Sequence, residues 1–127
     1  MLVINATIDP QPKNRELPRI GLRTEMPAGF ENMCWLGRGP HDSYVDRKES
    51  AHVGLYHSRV SDEWTNYVLP QEQGNKEEVR WMAITNDAGQ GLMVVAPERI
   101  AASVGHWRPE DNYVNNRDRK KHPYEVE

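Results

Sequence analysis

The sequence predicts an all-β fold, an antiparallel β-sandwich with at most one short helix near the C-terminus, and three observations carry that prediction. Apolar residues fall at every second position over much of the chain, the period of a half-buried strand. Gly, Pro and Asn-Asp pairs punctuate the sequence at intervals of about ten residues. Between Ser50 and Val60 the side chains Ala51, Val53, Leu55 and His57 share one side of a strand, whereas helical geometry would scatter them around the axis.

Taken in order, Leu2, Ile4, Ala6 and Ile8 alternate with Val3, Asn5, Thr7 and Asp9, which predicts a first strand stopped by Pro10 and Pro12. Ile20 and Leu22 begin a second. Pro27-Ala28-Gly29 turns the chain into a third around Met33 and Trp35, closed by Gly37-Arg38-Gly39-Pro40. A strand over Ser50 to Val60 follows a long connection. Tyr67-Val68-Leu69 is a short strand ended by Pro70. Val79 to Thr85 and Leu92 to Ala96 form a hairpin around Asn86-Asp87-Ala88-Gly89. Pro109-Glu110-Asp111 has the make-up of a helix start, proline suiting the first turn and the dipole favouring acidic residues there.

A chain of 127 residues fits a single domain, residues 1–127, and buries roughly two-thirds of the surface it exposes when unfolded. Its hydrophobic fraction of 37% is low beside 28% charged residues, which suggests that some core surface comes from elsewhere. Sixteen basic and 19 acidic residues give a formal charge of -3, too weak a field to gather nucleic acid or a membrane surface. The longest apolar run, Leu92 to Ala96, is far short of a membrane span, and Met1-Leu2-Val3-Ile4 is no signal peptide. Localisation stays open between cytoplasm and periplasm. Cys34, the lone cysteine, excludes an internal disulfide and reads as a small buried hydrophobe between Met33 and Trp35.

Catalytic chemistry finds little purchase. No Gly-x-Ser-x-Gly elbow is present, and His41, His52, His57, His106 and His122 lack the spacing of a metal site. Gly37-Arg38-Gly39-Pro40 has no following Lys-Ser/Thr, so it reads as a turn and not a phosphate loop. Trp35 and Trp81 sit in apolar alternation and are expected in the core. Trp64 and Trp107 lie among polar residues and are candidates for a groove or interface. Glycoside hydrolysis needs two carboxyl groups about 5 to 5.5 Å or 6.5 to 9.5 Å apart, and nothing in the spacing of Glu72 with Asp46 or Glu31 singles out such a pair.

The order of four segments is more telling. Leu17-Pro18-Arg19-Ile20-Gly21-Leu22 is followed by Trp35-Leu36-Gly37-Arg38-Gly39-Pro40 with Tyr44-Val45-Asp46-Arg47, then by Tyr67-Val68-Leu69-Pro70-Gln71-Glu72-Gln73-Gly74-Asn75, then by Val79-Arg80-Trp81. This succession resembles the last domain of family 2 β-galactosidases from about Val3 to the end, with Asp42-Ser43-Tyr44 and Glu72-Gln73-Gly74 departing from the usual Glu-Asn-Tyr and Glu-Asn-Gly. The resemblance implies the first half of a galactose-mutarotase-type sandwich, a part of the C-terminal domain without catalytic carboxylates. The parent reaction it implies is retaining hydrolysis of terminal β-D-galactosides in a preceding barrel domain, assisted by metal ions such as magnesium held mainly elsewhere.

Under that resemblance this chain carries no catalytic, cofactor or metal residue. Trp64, Trp107, Arg38, Asp46, Arg47 and Glu72 are its candidates for sugar or interdomain contact. Asp46 and Arg47 are expected to pair with strands or backbone carbonyls, and Glu72 with amides of the Gly74 turn. The expected partners are the rest of the β-galactosidase chain and galactosides. Half a sandwich also leaves edges and an apolar face uncovered, which favours self-association of the isolated chain. The alternative readings are a stand-alone carbohydrate-binding module and an aldose 1-epimerase.

Overall fold

The computed structural model describes residues 2–9, 19–65, 67 and 71–107. Four strands form one antiparallel sheet: β1 (Asn32–Gly39), β2 (His52–Arg59), β3 (Lys76–Thr85) and β4 (Gly91–Ala102), in the order β2-β1-β3-β4. The all-β antiparallel class expected from the alternation is the one observed. Among the described residues the one helical element is a 3-10 turn at Val60–Glu63, which leaves β2. The helix expected from Pro109 lies outside the described residues. Among the described residues no helix is long and apolar enough to cross a membrane.

Period-2 alternation sends Met33 and Trp35 of β1 to one face, opposite Ile84 and Met82 of β3. With Val60 and Val79 they make the core, packed by Met26, Phe30, Tyr56, Ala102 and Val104. Loops, not a second sheet, cover this face among the described residues. Trp35 is wholly buried, and its indole nitrogen donates to the carbonyl of Arg38 at 2.9 Å, so no polar atom is stranded. Burial of each such side chain contributes about 1.5–3 kcal/mol.

Gly37 and Gly39, expected to close the strand as a turn, lie inside β1. Their role is room. A Cβ on Gly37 would lie 3.0 Å from the Val79 backbone, and one on Gly39 would lie 2.7 Å from the Tyr56 ring, which tilts against Trp35 at 5.4 Å. The Asn86–Gly89 hairpin forms as expected: Asn86 and Gln90 close it with a 2.9 Å backbone bond, and Gly89 takes the left-handed φ of 76°. β4 continues beyond Ala96 to Ala102 and includes Pro97, which an edge strand tolerates.

Several expectations are corrected. Residues 2–9 and 19–25 belong to no strand, and Leu2, Ile4, Ile8, Ile20 and Leu22 are exposed. Alternation makes a segment able to pair, but a strand needs a ladder partner, and among the described residues none stands beside these two. Tyr67 is likewise outside any strand, and Val68-Leu69 lie outside the described residues. Trp81 is only half-buried, because the register puts it beside Leu36 on the second face of the sheet. Cys34 shares that face and is also half-buried, its sulfur 3.9 Å from Nε2 of His57, with burial raising its thiol pKa.

Candidate functional site: a polar loop cluster above the buried face

The long β1–β2 connection meets the segment before β3. Ser43 is the junction: its amide donates to Asn75 O at 2.7 Å, its carbonyl accepts from Asn75 Nδ2 at 2.7 Å, and its hydroxyl accepts from the Glu77 amide at 3.0 Å. Gln73 Oε1 in turn accepts from the Thr65 amide at 2.5 Å, and Gly74 turns the chain with a φ of 75°. The side chains of Ser43 and Gln73 therefore tie the backbone amides of Glu77 and Thr65 into this junction.

On this frame Tyr44 and Arg47 exchange backbone hydrogen bonds of 3.1 and 2.9 Å across a tight turn. Arg47 Nη2 donates to the Tyr67 hydroxyl at 2.7 Å and reaches Asp42 at 3.3 Å, while Tyr67 donates to the second Asp42 oxygen at 2.6 Å. The guanidinium also lies over the rings of Tyr44 and Tyr67, at 5.3 and 5.6 Å. Burial, then the charges of Asp42 and Glu72, push the Tyr44 phenol far above its ordinary range, so it stays neutral. Tyr67 is raised by burial and by its bond to Asp42.

Beside this cluster an open depression of about 300 Å³ lies between His41, Asp42, Asp62, Glu63 and Lys76. Lys76 is buried at its floor. Its ammonium pairs with Glu63 at 2.6 Å, donates to Pro40 O at 3.0 Å and stands 5.0 Å over the Trp35 ring.

The six sequence-derived candidates fall in three places. Arg47 and Glu72 both border Tyr44, but Glu72 is ion-paired with Arg19 and not held by the Gly74 turn. Arg47 pairs with Asp42 and Tyr67, not with a strand, and Asp46 is exposed in the turn. Trp64 and Trp107 pack edge-to-face at 4.2 Å, with His106 beside them bonded to Glu31 at 3.0 Å. Arg38 points to the other face of the sheet. There it pairs with Glu78 at 2.8 Å and donates to the carbonyls of Lys48 and Ala51 at 3.1 and 2.8 Å, while Lys48 and Arg99 approach the same carboxylate at 3.7 and 3.4 Å.

Asp42, Tyr44, Tyr67, Glu63, Lys76 and Glu78 were not singled out from the sequence as site residues. Lys76 and Glu78 sit in the polar run Asn75-Lys76-Glu77-Glu78, which by composition reads as a solvated face. Only the register and the bulge between Lys76 and Trp81 turn Lys76 inward, with Glu78 at a φ of 54°.

An all-β scaffold whose motif-bearing loops are knitted by backbone bonds and ion pairs is thus the class that fold and site define. The chain belongs to the β-galactosidase small-chain family, whose model matches residues 2–127. It is 43% identical over 91 residues to a β-galactosidase of Priestia megaterium, covering 72% of this chain and 9% of that protein. It is 40% identical over 88 residues to β-galactosidase BgaC of Bifidobacterium adolescentis, covering 67% and 8%. Against a β-galactosidase of Halalkalibacterium halodurans the match is 31% over 112 residues, covering 87% and 11%. The chain therefore spans about a tenth of the length of these curated relatives.

Proposed function

We propose that this chain is a structural, interdomain portion of a β-galactosidase that hydrolyses terminal β-D-galactosides with retention, and that it contributes no catalytic carboxylate. Its partner in that role is the remainder of the enzyme, including the barrel that houses the reaction. The observation that carries this reading is the pairing of four acidic side chains in and beside the motif loops. Asp42 is bound to Arg47 and Tyr67, Glu63 to Lys76, Glu72 to Arg19, and Glu78 to Arg38, Lys48 and Arg99. A retaining glycosidase needs one carboxyl kept protonated by an apolar setting and a second free to attack the sugar, and ion pairing opposes both.

The same pairing argues against magnesium here, because a hard cation would compete for oxygens already committed to lysine and arginine. The donor set does not fit that ion, and metal assistance is assigned to the rest of the enzyme. Trp64 and Trp107 pack edge-to-face on each other, so one ring face of the pair is taken up by this contact. For an epimerase, none of the five histidines matches that family's motifs, and His106 is bonded to Glu31 at 3.0 Å.

Incubation with a 2-fluoro-galactosyl inhibitor, which esterifies the nucleophile of a retaining enzyme, tests the reading by intact mass. The chain keeps its mass; a stoichiometric fluoro-galactosyl adduct on one of its carboxylates overturns the proposal.

A further inference from the structure

The β3–β4 ladder opens where Val79 pairs with Ile100 but Trp81 pairs with Val95, so that Arg80 alone stands across from Ala96, Pro97, Glu98 and Arg99. Bulges of this kind re-aim side chains and interrupt pairing beside sites. Pro97 has no amide hydrogen for a ladder, which keeps the four residues from closing onto β3. A second bulge just before it sets Glu77 and Glu78 against Ala101 and holds Glu78 at a φ of 54°.

Arg80, Ala96, Pro97, Glu98 and Arg99 line an open depression of about 570 Å³. Its charge is unbalanced. Four cations, Arg38, Lys48, Arg80 and Arg99, meet two carboxylates, Glu78 and Glu98, so this corner carries a surplus of two positive charges on a chain whose formal charge is -3. Glu77 does not offset it, because its carboxylate is bonded to Asn75 at 3.0 Å. Arg38 is already committed: Nε and Nη2 hold Glu78 Oε1 at 2.8 Å, and Nη1 donates to the carbonyls of Lys48 and Ala51. Arg80 and Arg99 are less engaged. Arg80 Nη1 donates to the Glu78 carbonyl at 2.7 Å and Arg99 Nη1 to Glu78 Oε2 at 3.4 Å, which leaves the other donors of both five-donor forks beside the depression.

We infer that this bulge is a binding site for a small dianionic oxyanion of the phosphate class, held between the guanidiniums of Arg80 and Arg99. Two planar forks can each grip a pair of oxygens on one tetrahedral anion. The amides of Glu98 and Arg99 have no ladder partner in β3 and supply further donors at the edge of the depression. A dianion cancels the whole surplus of charge, whereas a single carboxylate leaves half of it. Glu98 opposes the anion and keeps the affinity in the millimolar range.

Titration with inorganic phosphate above its second ionisation, at an ionic strength held constant with sodium chloride, is the test. Proton–nitrogen correlation spectra follow the backbone amides and the arginine Nε groups, and circular dichroism confirms that each variant is folded. The Glu98 and Arg99 amides and the Arg80 and Arg99 side chains shift along a saturating curve. Arg80→Gln and Arg99→Gln, the latter at a side chain 65% exposed, each weaken binding at least about fivefold. Glu98→Gln removes the opposing charge and tightens binding about twofold. Arg59→Gln, at the hairpin end of the sheet beside Asn32, leaves it unchanged. The inference is overturned by shifts that never saturate, by shifts that chloride alone reproduces, by an affinity indifferent to both arginine variants, or by acetate binding as tightly as phosphate, which makes the corner a seat for a single carboxylate.

Discussion

Lys76 and Glu63 form a buried ion pair, with side chains only 1% and 6% exposed and Nζ 2.6 Å from Oε2. It joins the start of β3 to the 3-10 turn after β2, the two ends of the connection that carries the second motif loop. Removing one partner leaves the other charge buried and uncompensated, at a cost of about 3–5 kcal/mol. Lys76→Met and Glu63→Leu are each expected to lower the unfolding free energy, read from urea titration, by that amount. The double variant Lys76→Met, Glu63→Leu recovers most of it, and a double-mutant cycle reads the coupling directly.

Gly39 makes a second prediction. A methyl there meets the rings of Tyr56 and Trp35 at 2.7 and 2.9 Å, inside a packed core. Gly39→Ala is expected to cost about 1–3 kcal/mol by overpacking. The companion Gly29→Ala, where no atom lies within 4 Å of a new Cβ, loses only what its φ of 98° imposes. Thermal unfolding of the two variants separates the crowding effect from the backbone effect.

In the loop cluster, Tyr67 is the bridge: it donates to Asp42 and accepts from Arg47. Tyr67→Phe removes both bonds while Asp42 and Arg47 still reach each other at 3.3 Å, so the expected loss is moderate, about 0.5–1.5 kcal/mol. Asp42→Asn is expected to lower the Tyr44 phenol pKa, since the Asp42 carboxylate is among the causes that raise it. Ultraviolet titration of the tyrosinates follows that shift.

Glu78 sets an acid limit. Its hydrogen bond from Arg38, with the charges of Arg38, Arg99 and Lys48, holds the carboxyl below its ordinary 4.5 against partial desolvation. The folded pKa lies below the unfolded one, so the contribution is complete above about 4.5 and is lost as pH falls through the lower, folded value. Glu78→Gln is expected to be less stable than wild type at neutral pH and indistinguishable from it well below 4.5. Denaturant midpoints at the two pH values check this.

The parts of the fold that local pattern governs were legible in the sequence. Alternation around Met33 and Trp35, the Val53-Leu55 spacing and the Asn86–Gly89 turn each correspond to an observed strand or hairpin. What pairing decides was not legible. Leu2–Ile8 has strand alternation without a ladder, and Trp81 has a core-like sequence setting but the register of the open face. Of the loop cluster, the motifs singled out Arg47 and Glu72 as candidates. Lys76 and Glu78 were hidden, because a bulge determines which charges of a polar run turn inward or meet Arg38.

The central claim is that Asp42, Glu63, Glu72 and Glu78 are held in ion pairs and that the chain performs no glycoside chemistry itself. Hydrolysis of a chromogenic β-galactoside by the purified chain, followed through successive purification steps, tests it most directly. The account predicts release indistinguishable from the buffer blank at every step. A rate that rises with purity and falls on Glu63→Gln or Glu72→Gln in folded protein would contradict it.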